Sequence, residues 1–175
     1  MSQIDRTLFL KTKLSRMDQT ASERKLELER KSSEYIFIAK MSDLLATKGK
    51  YFIDYEMRPA LAFQSSEDGL PILISAKCTH LGCTVGADLD ENSRILCPCH
   101  VSYFDIKSGM PHAGSPAKAP LPHIGWVIMD KQSKIVASKH PKREVEIVEK
   151  LDMDSLDHYS IYIAKKFASK ATGEA

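Results

Sequence analysis

Cys78-Thr79-His80-Leu81-Gly82-Cys83 and Cys97-Pro98-Cys99-His100-Val101-Ser102 hold all four cysteines and two of the six histidines of this 175-residue chain. Cys78 and His80, one residue apart in an extended loop, can direct a thiolate and an imidazole toward one centre, and Cys97 and His100 repeat the pairing across a turn. Two thiolates and two imidazoles suit iron–sulfur or zinc rather than a hard, oxygen-ligated cation. A mononuclear zinc would use the four as one tetrahedron. A two-iron cluster would divide them, with Cys78 and Cys97 on one iron and His80 and His100 on the other. Cys83 and Cys99 remain. Folding both stretches around one centre brings these two sulfurs together, and a disulfide there would tie the loops if the Cα separation falls in the narrow window such a bond needs. A zinc knuckle has no use for this extra pair.

On these residues the chain resembles the Rieske iron–sulfur proteins, in particular the disulfide-containing class of cytochrome bc-type quinol-oxidising complexes. The family pattern Cys-Thr-His-Leu-Gly-Cys followed by Cys-Pro-Cys-His-Gly-Ser is matched except at Val101, where glycine is usual. The resemblance runs from about Glu34 to Lys139. It includes Gly114-Ser115-Pro116-Ala117, similar to the proline loop that covers the cluster. It implies a [2Fe–2S] cofactor with Cys78, His80, Cys97 and His100 as ligands and a Cys83–Cys99 disulfide.

The same resemblance assigns roles around the ligands. Ser102 matches a serine whose hydroxyl donates to a bridging sulfide, and such bonds raise the reduction potential. Phe104 stands where many relatives carry a tyrosine donating to a ligand sulfur, so a lower potential is expected, which favours menaquinol over ubiquinol. Leu81 and Gly82 correspond to the exposed tip that docks into a quinol pocket, with Gly82 permitting the tight turn. Val101 puts a branched side chain in a tight turn where positive φ is costly, so either its φ is negative or the loop differs locally. His100, with His80 beside it, is the expected catalytic pair. A ligating imidazole on ferric iron loses its outer proton more readily than a free one. The pair can therefore accept a quinol proton as the cluster accepts an electron.

Composition fits one compact domain with extensions. With 43% apolar and 27% charged residues, the chain is long enough to bury a core. A net charge of +2 suggests no nucleic-acid partner. The expected fold is mainly β, an antiparallel Rieske-type sandwich with an inserted cluster-binding subdomain and helical extensions at both ends. Residues 1–33 read as a helical extension with an apolar stripe of Leu10, Leu14, Met17 and Ala21 and a mixed-charge run from Glu23 to Lys31. Residues 34–140 form the Rieske domain. Its strands are expected at Tyr35 to Ala39, Tyr51 to Met57, Ala60 to Gln64, Leu70 to Ala76, Arg94 to Leu96, Gly125 to Met129 and Lys134 to Ala137. Cluster loops span 77–104 and a stiff proline loop spans 111–122, with Pro111, Pro116, Pro120 and Pro122. Residues 141–175 form a further extension in which Leu156, Tyr159, Ile163 and Phe167 recur at helical steps, predicting an amphipathic helix. His112, His123, His140 and His158 lack ligand spacing and read as surface histidines.

Members of the disulfide-containing class normally carry a membrane anchor, yet no apolar run here approaches the ~18 residues of a spanning helix. The expectation is therefore a peripheral redox subunit on the positive, periplasmic-type face of a membrane complex, partnered by quinol and by b-type and c-type haem subunits, with no catalysis on its own. The alternative is a soluble cytoplasmic Rieske ferredoxin serving an oxygenase, although that class usually lacks counterparts of Cys83 and Cys99. A catalytic oxygenase subunit would need a further mononuclear-iron domain, for which the chain has no room.

Overall fold

The computed structural model describes Thr20, residues 22–24 and residues 33–168. The chain divides between Ser33 and Glu34 into two units. In the first, residues 22–24 are helical, while the expected stripe of Leu10, Leu14, Met17 and Ala21 and most of the mixed-charge run lie outside the described residues.

The second unit is built from short antiparallel strands. In chain order they are β1 (Tyr35–Lys40), β2 (Lys50–Ile53), β3 (Pro59–Gln64), β4 (Pro71–Ser75), β5 (Arg94–Cys97), β6 (Ser102–Asp105), β7 (Trp126–Met129), β8 (Ile135–Lys139), β9 (Val145–Ile147) and β10 (Ser160–Ala164). They form a five-stranded sheet in the order β1-β10-β7-β8-β9, a three-stranded sheet β2-β3-β4 and the β5–β6 hairpin. Every paired register is antiparallel.

One expectation fails at the C-terminus. The segment predicted to be an amphipathic helix is instead a short 3-10 turn (Leu156–His158), then β10, then a single helical turn (Lys165–Ala168). Ile161-Tyr162-Ile163 is a β-branched and aromatic run whose alternation puts Ile161 and Ile163 in the core and Tyr162 on the other face. A slot lies open between β1 and β7, and β10 fills it by pairing with both. Tertiary pairing thus overrides the helical spacing of Leu156, Tyr159, Ile163 and Phe167, and this segment belongs to the β body rather than to an extension.

Pleating of the three-stranded sheet explains where the site sits. Ala62 and Leu73 face the core shared with Ile36, Trp126, Ile128, Ile161 and Ile163 of the larger sheet. Leu61, Phe63 and Ile74 point the opposite way, into a second core with Val85, Ile95, Phe104 and Leu121. Strands β3 and β4 of this sheet therefore pack into a core on each face, and one side of them is the floor on which the cysteine-bearing loops rest. Each fully buried Leu, Ile or Phe contributes roughly 1.5–3 kcal/mol before entropy is counted.

Candidate metal centre

Both sequence boxes are hairpin loops of one design. In the first, the bridge Lys77–Thr84 closes the stem, the Cys78 amide donates to the Cys83 carbonyl at 2.7 Å and the Gly82 amide donates to the Cys78 carbonyl at 2.9 Å. Residues 79–82 form the loop. In the second, Cys97 ends β5 and pairs with Ser102, which opens β6, leaving residues 98–101 as the loop. Each loop closes through a left-handed residue at its last position, Gly82 at φ +81° and Val101 at φ +54°. Glycine adopts this conformation without penalty. Val101 does not, so the expected choice between negative φ and a local difference resolves as neither: the loop keeps the glycine geometry and valine bears the strain, about 1–2 kcal/mol.

The loops bring the expected residues together. The His80 and His100 rings meet edge to face with centroids 4.8 Å apart. Cys78 and Cys97 are 3% and 1% exposed and form part of the second core, whereas His100 is exposed and Leu81, at 70%, stands out at the tip. Val101 is 58% exposed beside His100. Burial pushes the Cys78 thiol up from its ordinary value; the His80 amide opposes this and the Cys97 sulfur adds to it. Sharing a hydrogen bond with Cys83 pushes the Cys99 thiol up to about 11.

The expected disulfide is not formed in this structure, in which all four cysteines are thiols. The sulfurs of Cys83, Cys97 and Cys99 nevertheless lie within 4.8 Å of one another. The fold delivers the thiols to each other, but a bond between two of them also needs an oxidant to remove two electrons.

The proline loop is bolted onto both boxes. Thr79 Oγ1 donates to the Ala119 carbonyl at 2.6 Å. The Ala117 amide donates to Ser102 Oγ at 3.2 Å, and the Tyr103 amide donates to Ser115 Oγ at 3.2 Å. Lys118 Nζ donates to the Ser115 carbonyl at 2.8 Å. Ser102 is completely buried, and because its oxygen accepts from Ala117, its own proton remains available to a further acceptor. Phe104 is fully buried under the loops and brings no hydroxyl. These clamps through Thr79, Ser115 and Ala117 are not read from the sequence; the signal was a threonine inside the first box and a serine inside the proline segment. His123, expected on the surface, is half-buried with Nε2 3.0 Å from the Ile106 carbonyl.

One polar atom at the centre is unaccounted for by protein groups. His80 Nδ1 is buried and has no hydrogen-bond partner among the described residues. Such an orphan costs roughly 1–3 kcal/mol, and a metal ion in front of it removes the cost. The nearby donors are thiols and a second imidazole, the set that suits an iron–sulfur centre or zinc. Trp126 Nε1 is also unpartnered, but it belongs to the other core. No helix among the described residues is long and apolar enough to cross a membrane.

The family model described as the Rieske [2Fe-2S] domain matches residues 34–125. The chain is 34% identical over 85 residues to the menaquinol:cytochrome c reductase iron-sulfur subunit of Geobacillus thermodenitrificans, covering 47% of this chain and 49% of that protein. It is 38% identical over 64 residues to the cytochrome b6-f complex iron-sulfur subunit of Synechococcus elongatus, covering 37% and 35% respectively. Thus the chain spans about half the length of the first of these relatives and less of the second. Among solved structures, the cyanobacterial plasma membrane Rieske protein PetC3 from Synechocystis PCC 6803 aligns at 25% identity over 57% of this chain and 95% of that one, with a TM-score of 0.45.

Proposed function

Because this chain belongs to the Rieske [2Fe-2S] domain family, we propose that it is the electron-transfer subunit of a membrane quinol-oxidising cytochrome bc-type complex. Cys78 and Cys97 would hold one iron of the cluster, and His80 and His100 would hold the other. The observation that carries this reading is the division of burial among the four donors. The two sulfurs are sealed in the second core, His80 has a buried Nδ1 with no partner among the described residues, and His100 stands exposed with its ring against that of His80.

When bound, the [2Fe–2S] cluster supplies a one-electron acceptor whose positive charge makes its imidazole ligands give up their outer protons more easily. The protein residues then divide the remaining work. His100, exposed, accepts a hydrogen bond from a quinol hydroxyl and takes up its proton at the imidazole nitrogen not facing iron, with His80 at its side. Leu81 and Gly82 form the apolar tip that enters the quinol pocket of a b-type haem subunit. Ser102, whose hydroxyl proton is left over by the bond from Ala117, would donate it toward a sulfide of the bound cluster. A Cys83–Cys99 disulfide pins the two loops, which fits an oxidising compartment on the positive face of the membrane. The electron leaves toward a c-type haem. Phe104 lacks the hydroxyl that would raise the potential further, which favours menaquinol as the reductant.

A potentiometric titration of the cluster-loaded chain tests this reading. The expected result is a midpoint well above zero that falls with pH near neutrality as the imidazoles ionise. A pH-independent value near the bottom of the Rieske range, about −150 mV, overturns it in favour of a ferredoxin serving an oxygenase.

A further inference from the structure

We infer that the reduced, cluster-free chain carries a second and competing metal site, formed by the sulfurs of Cys83, Cys97 and Cys99, which takes a soft closed-shell cation such as zinc(II) or copper(I). This set differs from the donors of the iron–sulfur centre: it shares only Cys97 with them and uses no imidazole.

The geometry supports binding. The three sulfurs lie within 4.8 Å of one another. With metal–sulfur bonds of about 2.3 Å, a trigonal thiolate site needs sulfurs about 4 Å apart, so small side-chain rotations complete it. Freedom to rotate is graded across the group: Cys97 is buried, Cys83 half-buried and Cys99 exposed. The buried sulfur anchors the ion while the exposed one gives it an entry path and leaves a position for water. Three thiolates prefer a soft cation over the hard ions abundant in cells, and each thiol releases its proton on binding.

Two consequences follow. If Cys97 is also a cluster ligand, as proposed above, the two metals exclude each other and capture of a soft cation blocks cluster loading. Oxidation of Cys83 and Cys99 to a disulfide removes two of the three donors. With oxidised glutathione as the oxidant, the two thiols lose two protons and two electrons, and one glutathione disulfide becomes two glutathione thiols. The disulfide therefore protects the centre by dismantling its competitor as well as by tying the loops.

The test titrates the reduced, cluster-free chain with cadmium(II) alone, followed by thiolate-to-metal ultraviolet absorption against a competing chelator. One equivalent binds; Cys83→Ser weakens binding by at least roughly tenfold, while Cys78→Ser and His80→Ala, which spare the three sulfurs, leave it within about threefold. Circular dichroism verifies that each variant is folded, and the wild-type chain oxidised with glutathione disulfide, which carries no substitution, binds cadmium at least roughly tenfold more weakly than the reduced chain. Undiminished binding by Cys83→Ser or by the oxidised chain overturns the inference, as does an equal loss in Cys78→Ser. Failure of the iron–sulfur reading would register separately, as absence of an iron–sulfur spectrum after reconstitution of the wild-type chain.

Discussion

Replacing Ser102 by alanine separates two jobs that the structure gives one hydroxyl. Its oxygen accepts from the Ala117 amide at 3.2 Å, in a place where Ser102 is fully buried and Ala117 nearly so. Deleting the oxygen strands that amide without water, at a cost of about 1–3 kcal/mol. For a domain of this size that corresponds to a fall in melting temperature of roughly 3–10 °C. The hydroxyl proton has a separate role: if it donates to the cluster, its loss removes a hydrogen bond to a charged acceptor, worth about 1.5–3 kcal/mol at most. A one-electron couple changes by 59 mV for each tenfold in equilibrium constant, so the midpoint should drop by up to roughly 65–130 mV. Calorimetry of the loaded protein and a redox titration read the two effects independently. A melting temperature that falls while the potential stays put refutes the donation to the cluster and leaves Ser102 as a clamp for the proline loop. An unchanged melting temperature refutes the clamp.

Other perturbations address neighbouring parts of the account. Val101→Asn puts a residue that tolerates the left-handed region at φ +54° and should stabilise the chain by about 1 kcal/mol; denaturant unfolding with no gain would show that valine bears no strain there. Phe104→Tyr restores a hydroxyl beneath the loops and should raise the midpoint potential, and a lower or unchanged value would mean that the new group does not reach the centre. His123 is held below its ordinary pKa, first by burial and then by Lys139, with the Ile106 carbonyl and Asp105 opposing. A depressed folded-state pKa means that the folded chain binds fewer protons, so this contribution to stability is present above the ordinary histidine value of 6.5 and lost as pH falls through the lower folded value. Urea midpoints should therefore decline on acidification below about pH 6.5, with a flatter profile in His123→Gln; identical slopes in the two proteins would dismiss the histidine as the cause.

Much of the site was legible in the sequence because metal chemistry constrains residue type and spacing more tightly than packing does. Cys78, His80, Cys97 and His100 could be grouped from their spacing alone, and the fold places His80 against His100 and seals Cys78 and Cys97 into one core. Seven of the strands were legible as β-branched or aromatic runs between turn residues. What escaped was decided by tertiary context. Strand β10 reads as a helix because four apolar residues fall at helical steps, and only the open slot between β1 and β7 makes the alternation of Ile161, Tyr162 and Ile163 the one that counts. Strand β6 was hidden because Ser102 to Asp105 follow the second box directly and read as loop. The conformation of Val101 was missed for the opposite reason: propensity argued against a positive φ, but the hairpin closed by Cys97 and Ser102 holds it at φ +54°. The clamps from Thr79 to Ala119 and from Ala117 to Ser102 join residues far apart in the chain, a relation that no local pattern encodes.

The central claim is that two imidazoles of this chain bind iron alongside two thiolates. Electron–nuclear double resonance of the reduced, cluster-loaded protein with nitrogen-labelled histidine measures this directly. The account predicts two strongly coupled histidine nitrogens, one of them lost in His80→Ala and the other in His100→Ala. A paramagnetic centre with no histidine coupling, or a colourless protein holding a single zinc, would contradict it.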